Sequence, residues 1–476
     1  MIRIFNNIDR FEYDIRGLVM AFYPGENMVY NDQTQPEAED FSINIEWSEG
    51  NVSVSVATET VSQSFTEGEA VYAKTAVKDA LYILFSRLTG KTLPWGTLTG
   101  IRPTKIPMAM LENGAGDEEI LRHMEDELLV SPEKSLLALD IARREKSLLE
   151  KLDYDRGYSL YIGIPFCPSR CLYCSFTAYP ISVFHDQVDS YLDCLEKELM
   201  FTAEFFRDRK LNTVYVGGGT PTTLLPYQID RLCDIVEKNF DLSDLLEFTI
   251  EAGRPDSLDE EKLSAIKRHR VDRISINPQT MKQETLDIIG RYHRVEDVVR
   301  VFKQARSMGF DNINMDLIMG LPDESIDDVR HTMEEIKKLG PDNLTVHSLA
   351  IKRSSRLNLE REKYASYAYE NTSEQMELTA RYAAEMGLKP YYLYRQKNMA
   401  GNFENVGYAA DGKAGIYNIL IMEEKQSIVA CGAGATSKAV FKNGRIERAE
   451  NVKDIKSYFE RIDEMIDRKR ALFSQE

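Results

Sequence analysis

The spacing of apolar and polar positions divides this chain into three stretches. In the first, up to about residue 150, Phe41, Ile43, Ile45 and Trp47 alternate with polar residues. After the turn Ser48-Glu49-Gly50-Asn51 the alternation resumes at Val52, Val54 and Val56. Period two on both sides of a turn predicts a hairpin with one buried face. A helix is expected from about Ala70 to Leu88, stopped by Gly90, and a second is opened by Ser131 as N-cap with Pro132 in its first turn. The turn-rich segment from Trp95 to Lys105 reads as a structured connection, with a docking loop as the alternative.

From about 155 to 355 strands and helices alternate. Strands are predicted at Leu160 to Ile164, Thr213 to Val216, Glu247 to Glu251, Arg273 to Asn277, Asn312 to Leu317 and Asn343 to Leu349. Helical stretches between them include Gln187 to Phe206, Tyr227 to Asn239, Val295 to Met308 and Ile326 to Leu339. Six such units predict a parallel (β/α) barrel, complete or partial, with its chemistry on loops leaving the C-terminal strand ends. The remainder carries a helix near Ser373 to Met386, hairpin-like strands and a charged final helix. The expectation is an α/β protein with an N-terminal α+β domain (1–150), a (β/α)6 core (155–355) and a C-terminal helix and hairpin region (356–476).

Composition narrows the class of function. Hydrophobic residues make up 43% of the 476, enough for large cores, and no apolar run is long enough to span a bilayer. The first residues lack the pattern of a secretory signal, so a cytoplasmic protein is expected, in which thiols stay reduced. The net charge of −18, from 77 acidic against 59 basic residues, argues against a nucleic-acid partner.

The densest chemistry lies in Gly163-Ile164-Pro165-Phe166-Cys167-Pro168-Ser169-Arg170-Cys171-Leu172-Tyr173-Cys174, directly after the first core strand. Three thiolates at C-x3-C-x2-C spacing can hold three corners of a four-iron cluster and leave one iron open. The alternatives are a zinc site completed by His185, the nearest histidine in sequence, or a trio of buried thiols. Phe166, Tyr173 and Phe176 would shield a cluster from water. Cys194 and Cys233 read as apolar fillers of helices.

One strand later comes Gly217-Gly218-Gly219-Thr220-Pro221-Thr222. It is neither a P-loop nor a dinucleotide fingerprint. Its glycines either let the backbone approach a ligand closely or simply make a tight turn. Polar residues then mark strand ends: Glu251, Gln279 and Asp316, with Arg291 in Gly290-Arg291-Tyr292-His293. An Arg291–Asp316 salt bridge would explain two of them; as a set at one barrel mouth they predict ligand binding.

Together these residues resemble the radical S-adenosylmethionine (SAM) enzymes. The fuller pattern is Tyr161-x-x-Ile164-Pro165-Phe166-Cys167, Gly217 to Thr222, Glu251, Gln279, Gly290-Arg291 and Asp316-Leu317-x-x-Gly320-Leu321-Pro322. It is similar to the oxygen-independent coproporphyrinogen III oxidase group, and the N-terminal module is similar to its HemZ branch. The resemblance implies a radical-SAM (β/α)6 partial TIM barrel with a [4Fe–4S] cluster on Cys167, Cys171 and Cys174. It implies SAM chelated to the open iron, its amino-acid end near Gly218, Gly219, Thr220 and Glu251. Tyr161, Tyr173, Gln279, Arg291, Asp316 and Ala350 match positions lining such SAM sites. The implied reaction is decarboxylation of coproporphyrinogen III propionates to vinyls in heme biosynthesis, through a 5′-deoxyadenosyl radical, with cluster and SAM carrying the chemistry. The implied partners are a porphyrinogen substrate and an electron donor such as flavodoxin or ferredoxin.

Two departures open an alternative. Phe176 stands where the best-known members have a further cysteine, as in the related heme chaperones. The heme motif of those chaperones has a partial match at Glu404 to Ala409, keeping Asn405 and Tyr408 but lacking the histidine and tryptophan. A heme-binding chaperone without decarboxylase activity is therefore the second reading. The basic group Lys352, Arg353 and Arg356 is expected to meet propionates, or to be a solvated loop.

Overall fold

The computed structural model describes residues 1–32, 40–66, 70–100, 102–150, 152–369, 371–396 and 403–476. These form two units, one of Met1–Arg143 with Tyr394–Glu404, the other of Arg144–Leu393 with Asn405–Glu476.

In the first unit, Phe41–Ser48 and Asn51–Val56 form the expected antiparallel hairpin, with Gly50 at φ +66 turning the chain. Ile2–Asn6 pairs in parallel with Phe41–Ser48, and the sheet is completed by Met28–Tyr30 and Glu59–Ser64. Ile43, Ile45, Val52 and Val54 are buried with residues of the helices Glu12–Phe22 and Ala70–Thr89, which fixes one face of the sheet as core. Trp95 is fully buried, donates from Nε1 to Glu404 at 2.7 Å, and lies under the Arg395 guanidinium. The described part of the segment Trp95 to Lys105 is thus a packed connection; Ile101 lies outside the described residues.

The second unit is built on six parallel strands: β1 (Gly157–Ile164), β2 (Lys210–Gly218), β3 (Glu247–Glu251), β4 (Arg273–Ser275), β5 (Ile313–Met319) and β6 (Asn343–Ser348). They neighbour one another in chain order. The helices Val188–Phe205, Pro226–Asn239, Val295–Ser307 and Ile326–Leu339 lie between them in sequence. Their boundaries follow local chemistry: Ser325 caps the last of these by accepting from Asp328 N–H, and Gly340 in the left-handed region ends it. Later strands extend the same sheet. Asn405–Ala409 runs antiparallel to β6, and Ser427–Cys431 runs parallel to β1.

Alternation along these strands decides what the barrel can hold. Leu160, Ile162, Val214, Val216, Phe248, Ile250, Ile274, Ile313, Met315, Leu317, Leu344 and Val346 are buried on one face. The other face carries Ser159, Tyr161, Thr213, Tyr215, Glu247, Thr249, Glu251, Arg273, Ser275, Asn314, Asp316, Asn343, Thr345 and His347. Register aligns these polar residues across neighbours, as in Tyr161–Tyr215–Thr249–Arg273. They also bond to one another: Thr213 to Ser159 at 2.7 Å, Thr249 to Glu247 at 2.7 Å, Thr345 to Asn314 at 3.1 Å. The sheet is aliphatic towards its helices and polar towards its lumen, the reverse of a barrel closed by a packed apolar interior.

Candidate active site

The cysteine loop leaves β1 at its C-terminal end and is held there by backbone bonds. Leu172 N–H donates to Ile289 carbonyl, and Leu357 N–H to Leu172 carbonyl, each at 2.9 Å. Ser169 Oγ donates to the Gly290 carbonyl at 2.9 Å. Cys171 is buried, while Cys167 and Cys174 are half-buried. The buried Arg254 donates to Ser169 carbonyl at 3.1 Å, to Ser169 Oγ at 2.8 Å and towards Cys171 Sγ at 3.8 Å, with Asp256 as its ion pair. Burial pushes the Cys167 thiol up to about 11, against the Thr220 hydroxyl donating to it at 3.5 Å; burial also raises Cys174. Metal binding here would displace protons from the thiols.

The donor set fits a cluster better than a single zinc ion. Tetrahedral zinc holds its sulfurs about 3.8 Å apart, given its bond length. Among the described residues the three Sγ atoms do not gather within 4.8 Å; the group that does is Asp234, Glu237 and His269, on other elements. His185 is exposed and paired with Asp186 at 3.1 Å. Three sulfur ligands spread wider than zinc requires, on a loop at a barrel mouth, suit a four-iron cube with one open corner.

The glycine turn is bonded to this loop. Gly219 N–H donates to Ile164 carbonyl at 2.8 Å and Thr220 N–H to Phe166 carbonyl at 2.7 Å. A Cβ on Gly219 would lie 2.6 Å from Phe166 O and 2.8 Å from Ile164 O. One on Gly217 would lie 3.0 Å from Glu251 Cδ, and Gly218 has φ +104. The turn is a close-packed one: glycine lets it press against the cysteine loop and leaves lumen space for Glu251. Gly219→Ala is expected to cost about 1–3 kcal/mol through forced displacement of the turn. It should also lower iron retained on reconstitution and weaken SAM binding at least about tenfold (~1.4 kcal/mol). Iron content and SAM binding equal to the parent protein would refute this.

Below the turn, Tyr215 OH donates to Glu251 Oε1 at 2.5 Å and stacks on Tyr417 at 4.4 Å between ring centres, with Tyr161 alongside. Burial raises the Glu251 carboxyl to about 7, opposed by the Tyr215 bond and added to by the Asp316 charge. Burial works to raise Asp316 as well, but His347, Asn314 and the Arg273 charge hold it below its ordinary value. Gln279 is buried with φ +69; its N–H donates to Asp316 carbonyl at 2.9 Å and its carbonyl accepts from Ile318 at 3.0 Å. The structure does not pair Arg291 with Asp316. Arg291 donates to the Asn277 carbonyl and faces Tyr173 and Cys171, whereas Asp316 accepts from Asn314 Nδ2 at 2.7 Å.

Tyr161, Glu251 and Asp316 thus meet in the lumen, with Gly218, Gly219 and Thr220 at its cysteine-loop end. Gln279 bonds to the Asp316 backbone, and Tyr173 and Arg291 meet beside Cys171. Ala350 follows β6 and is half-buried. The basic trio follows β6, on a segment bonded to the cysteine loop through Ser354. Lys352 lies over the Phe176 ring at 5.6 Å, Arg353 is exposed, and Arg356 is paired with Glu360 at 2.9 Å. Asn405 and Tyr408 are both buried, with Asn405 Oδ1 accepting from Ser348 N–H at 2.9 Å. Arg254, Arg273, Tyr215, Tyr417 and His347 are site residues that the motifs do not mark. For those on strands the available signal was the alternation itself.

A family model described as the radical SAM superfamily matches residues 161–336. The oxygen-independent coproporphyrinogen-III oxidase-like protein HemZ of Bacillus subtilis (strain 168) is 39% identical over 485 residues, covering 98% of this chain and 96% of that one. The chain belongs to this HemZ-like group of the radical SAM superfamily. Radical SAM proteins work with a [4Fe–4S] cluster and SAM, which the thiol geometry fits. More partial likenesses run to the heme chaperone HemW of the same organism, 36% identical over 46% of this chain and 60% of that one. The oxygen-independent coproporphyrinogen III oxidase of Salmonella typhimurium is 33% identical over 41% and 42%. The solved structure of coproporphyrinogen III oxidase (HemN) from Escherichia coli superposes with a TM-score of 0.52 at 24% identity, over 65% of this chain and 70% of that one, and shows the fold. Among the described residues, no helix is long and apolar enough to cross a membrane.

Proposed function

We propose that this protein converts propionate side chains of coproporphyrinogen III to vinyls without oxygen, as a step of heme biosynthesis. The observation that carries the reading is a three-thiol loop bonded directly to a glycine turn at the mouth of a polar-lined barrel. When bound, the cluster and SAM supply one-electron cleavage of the sulfonium and, through it, hydrogen abstraction from an unactivated carbon. The chain's own residues do the rest. Cys167, Cys171 and Cys174 would hold the cluster, and Gly218, Gly219, Thr220 and Glu251 would receive the amino-acid end of SAM. Phe166 and Tyr173 keep water from the thiols, and the buried charge of Arg273 favours anionic groups in the lumen. Burial of Asn405 and Tyr408 weighs against the chaperone reading. The test is anaerobic incubation of reconstituted protein with SAM, a chemical reductant and coproporphyrinogen III, followed by chromatography. Protoporphyrinogen IX and 5′-deoxyadenosine are expected. Absence of both with the cluster intact, or heme transfer without decarboxylation, would defeat the reading.

The same site predicts a pH dependence. A carboxyl raised to about 7 contributes stability as its protonated form below its ordinary value, and that contribution is lost as pH rises through about 7. Binding the SAM ammonium needs the ionised form, so SAM affinity should increase across the same interval. Tyr215→Phe removes a hydrogen bond to the carboxylate and should move that midpoint upward by about one pH unit, ~1.4 kcal/mol. SAM titrations at several pH values check it; an unmoved midpoint would contradict the assignment.

A further inference from the structure

The proposed chemistry consumes one electron from outside the protein for each SAM cleaved, so the thiol loop needs an approach for a donor. The structure places an unusual surface over its last cysteine. Phe176, two residues beyond Cys174, is 64% exposed, Tyr292 is 75% exposed and Ile351 39%. Lys352 lies over the Phe176 ring at 5.6 Å, and its charge and that of Arg170 act on Cys174. Arg170 donates to the Ser354 carbonyl at 2.8 Å and Ser354 Oγ to the Ser175 carbonyl at 3.4 Å, fastening the basic segment across the cysteine loop. Arg356 is compensated by Glu360, but among the described residues neither Lys352 nor Arg353 makes an ion pair. Exposed aromatic and aliphatic side chains, the half-buried Lys352 and the exposed Arg353 thus lie beside the three-cysteine loop, on a chain whose net charge is −18. An apolar centre with a charged rim is the anatomy of a transient protein interface, and the sign of the rim selects an anionic partner.

We propose that Phe176, Tyr292, Ile351, Lys352 and Arg353 form the docking surface for a small acidic one-electron carrier protein of the flavodoxin class. The inference rests on the function proposed above and assigns these cations to a protein partner instead of to propionates. In the step it serves, the carrier's reduced flavin loses one electron and the cluster behind Cys174 gains it; no bond or proton moves between the proteins.

The test compares the parent protein with the double variant Lys352→Glu, Arg353→Glu, each reconstituted, and uses a bacterial flavodoxin as probe. Binding is followed by flavin fluorescence at low and high salt. The parent should bind saturably and lose affinity as salt rises, and the variant should bind at least about tenfold more weakly. With dithionite in place of flavodoxin, the KM for coproporphyrinogen III should agree between the two within about twofold, because the reversal alters no lumen residue. The proposal is overturned if the parent does not bind flavodoxin, if charge reversal leaves binding unchanged, or if the dithionite-driven KM rises with the reversal. If flavodoxin binding responds as described but dithionite yields no 5′-deoxyadenosine from the parent, the docking surface stands and the proposed reaction falls.

Discussion

Cys171→Ser should leave a folded protein that retains little iron after reconstitution and turns over at least about a thousandfold more slowly, a loss of roughly 4 kcal/mol in transition-state stabilisation. The size follows from position. Cys171 is the buried thiol of the three, with Arg254 Nη1 at 3.8 Å and the charge of Arg291 turned to it. A hydroxyl is a poor ligand for iron and stays protonated, so one corner of the cluster would be lost. Cys194→Ala supplies the control. That thiol is half-buried on the helix Val188–Phe205, away from the loop, and its loss should change turnover by less than about twofold, as ordinary surface-proximal truncations do. Iron and sulfide analysis with the anaerobic assay decides the matter. Full iron content in the serine variant would remove the basis for the cluster, and equal losses in both variants would point to general destabilisation.

Lys469→Ala is expected to cost about 3–5 kcal/mol of stability. Glu198 is fully buried and receives four bonds: Lys469 at 2.5 Å and Asn451 at 2.7 Å on one oxygen, Tyr458 at 2.6 Å and Gly432 N–H at 2.7 Å on the other. Removing the lysine strands a carboxylate in a dry interior. Removing both charges, as in Glu198→Gln with Lys469→Met, leaves the remaining donors partly satisfied and should cost much less. Urea denaturation of the four proteins forms a double-variant cycle, in which additive losses would contradict the coupling. The network adjoins the site: Tyr191 donates to the Gly163 carbonyl at 2.6 Å, just before the cysteine loop, and accepts from Ala433 N–H at 3.1 Å. Loss of the lysine should therefore also reduce iron retention.

The core was legible in the sequence because its local signals agree. The strand Glu247–Glu251 and the helix Ile326–Leu339 fall at the predicted limits, the latter because Ser325 and Gly340 bracket it. The thiols were legible because their spacing is covalent information. The partners of Arg291 and Asp316 were not, since a pairing across a barrel depends on register and on side-chain direction. Arg254 was hidden for a related reason: it lies in the loop after β3, and its contact with Cys171 arises 83 residues away in sequence. The setting of the basic trio was not legible, because charge along a loop does not say which way the loop faces: Lys352 lies over Phe176, and Arg356 pairs with Glu360. The packing of Asn405 and Tyr408 was not legible in their partial motif: one bonds to the Ser348 backbone and both are buried.

The contrast between the two faces of the sheet also bears on how the chain avoids folding wrongly. If a strand slid by one residue, Glu247, Glu251, Arg273 or Asp316 would be driven into the oily layer of helices, and valines and isoleucines would be turned among the polar groups of the lumen. Each stranded charge would cost several kcal/mol, so a slipped arrangement has no shallow minimum in which to linger. The same residues proposed to greet a charged ligand thereby act as proofreaders of strand alignment, before any ligand arrives.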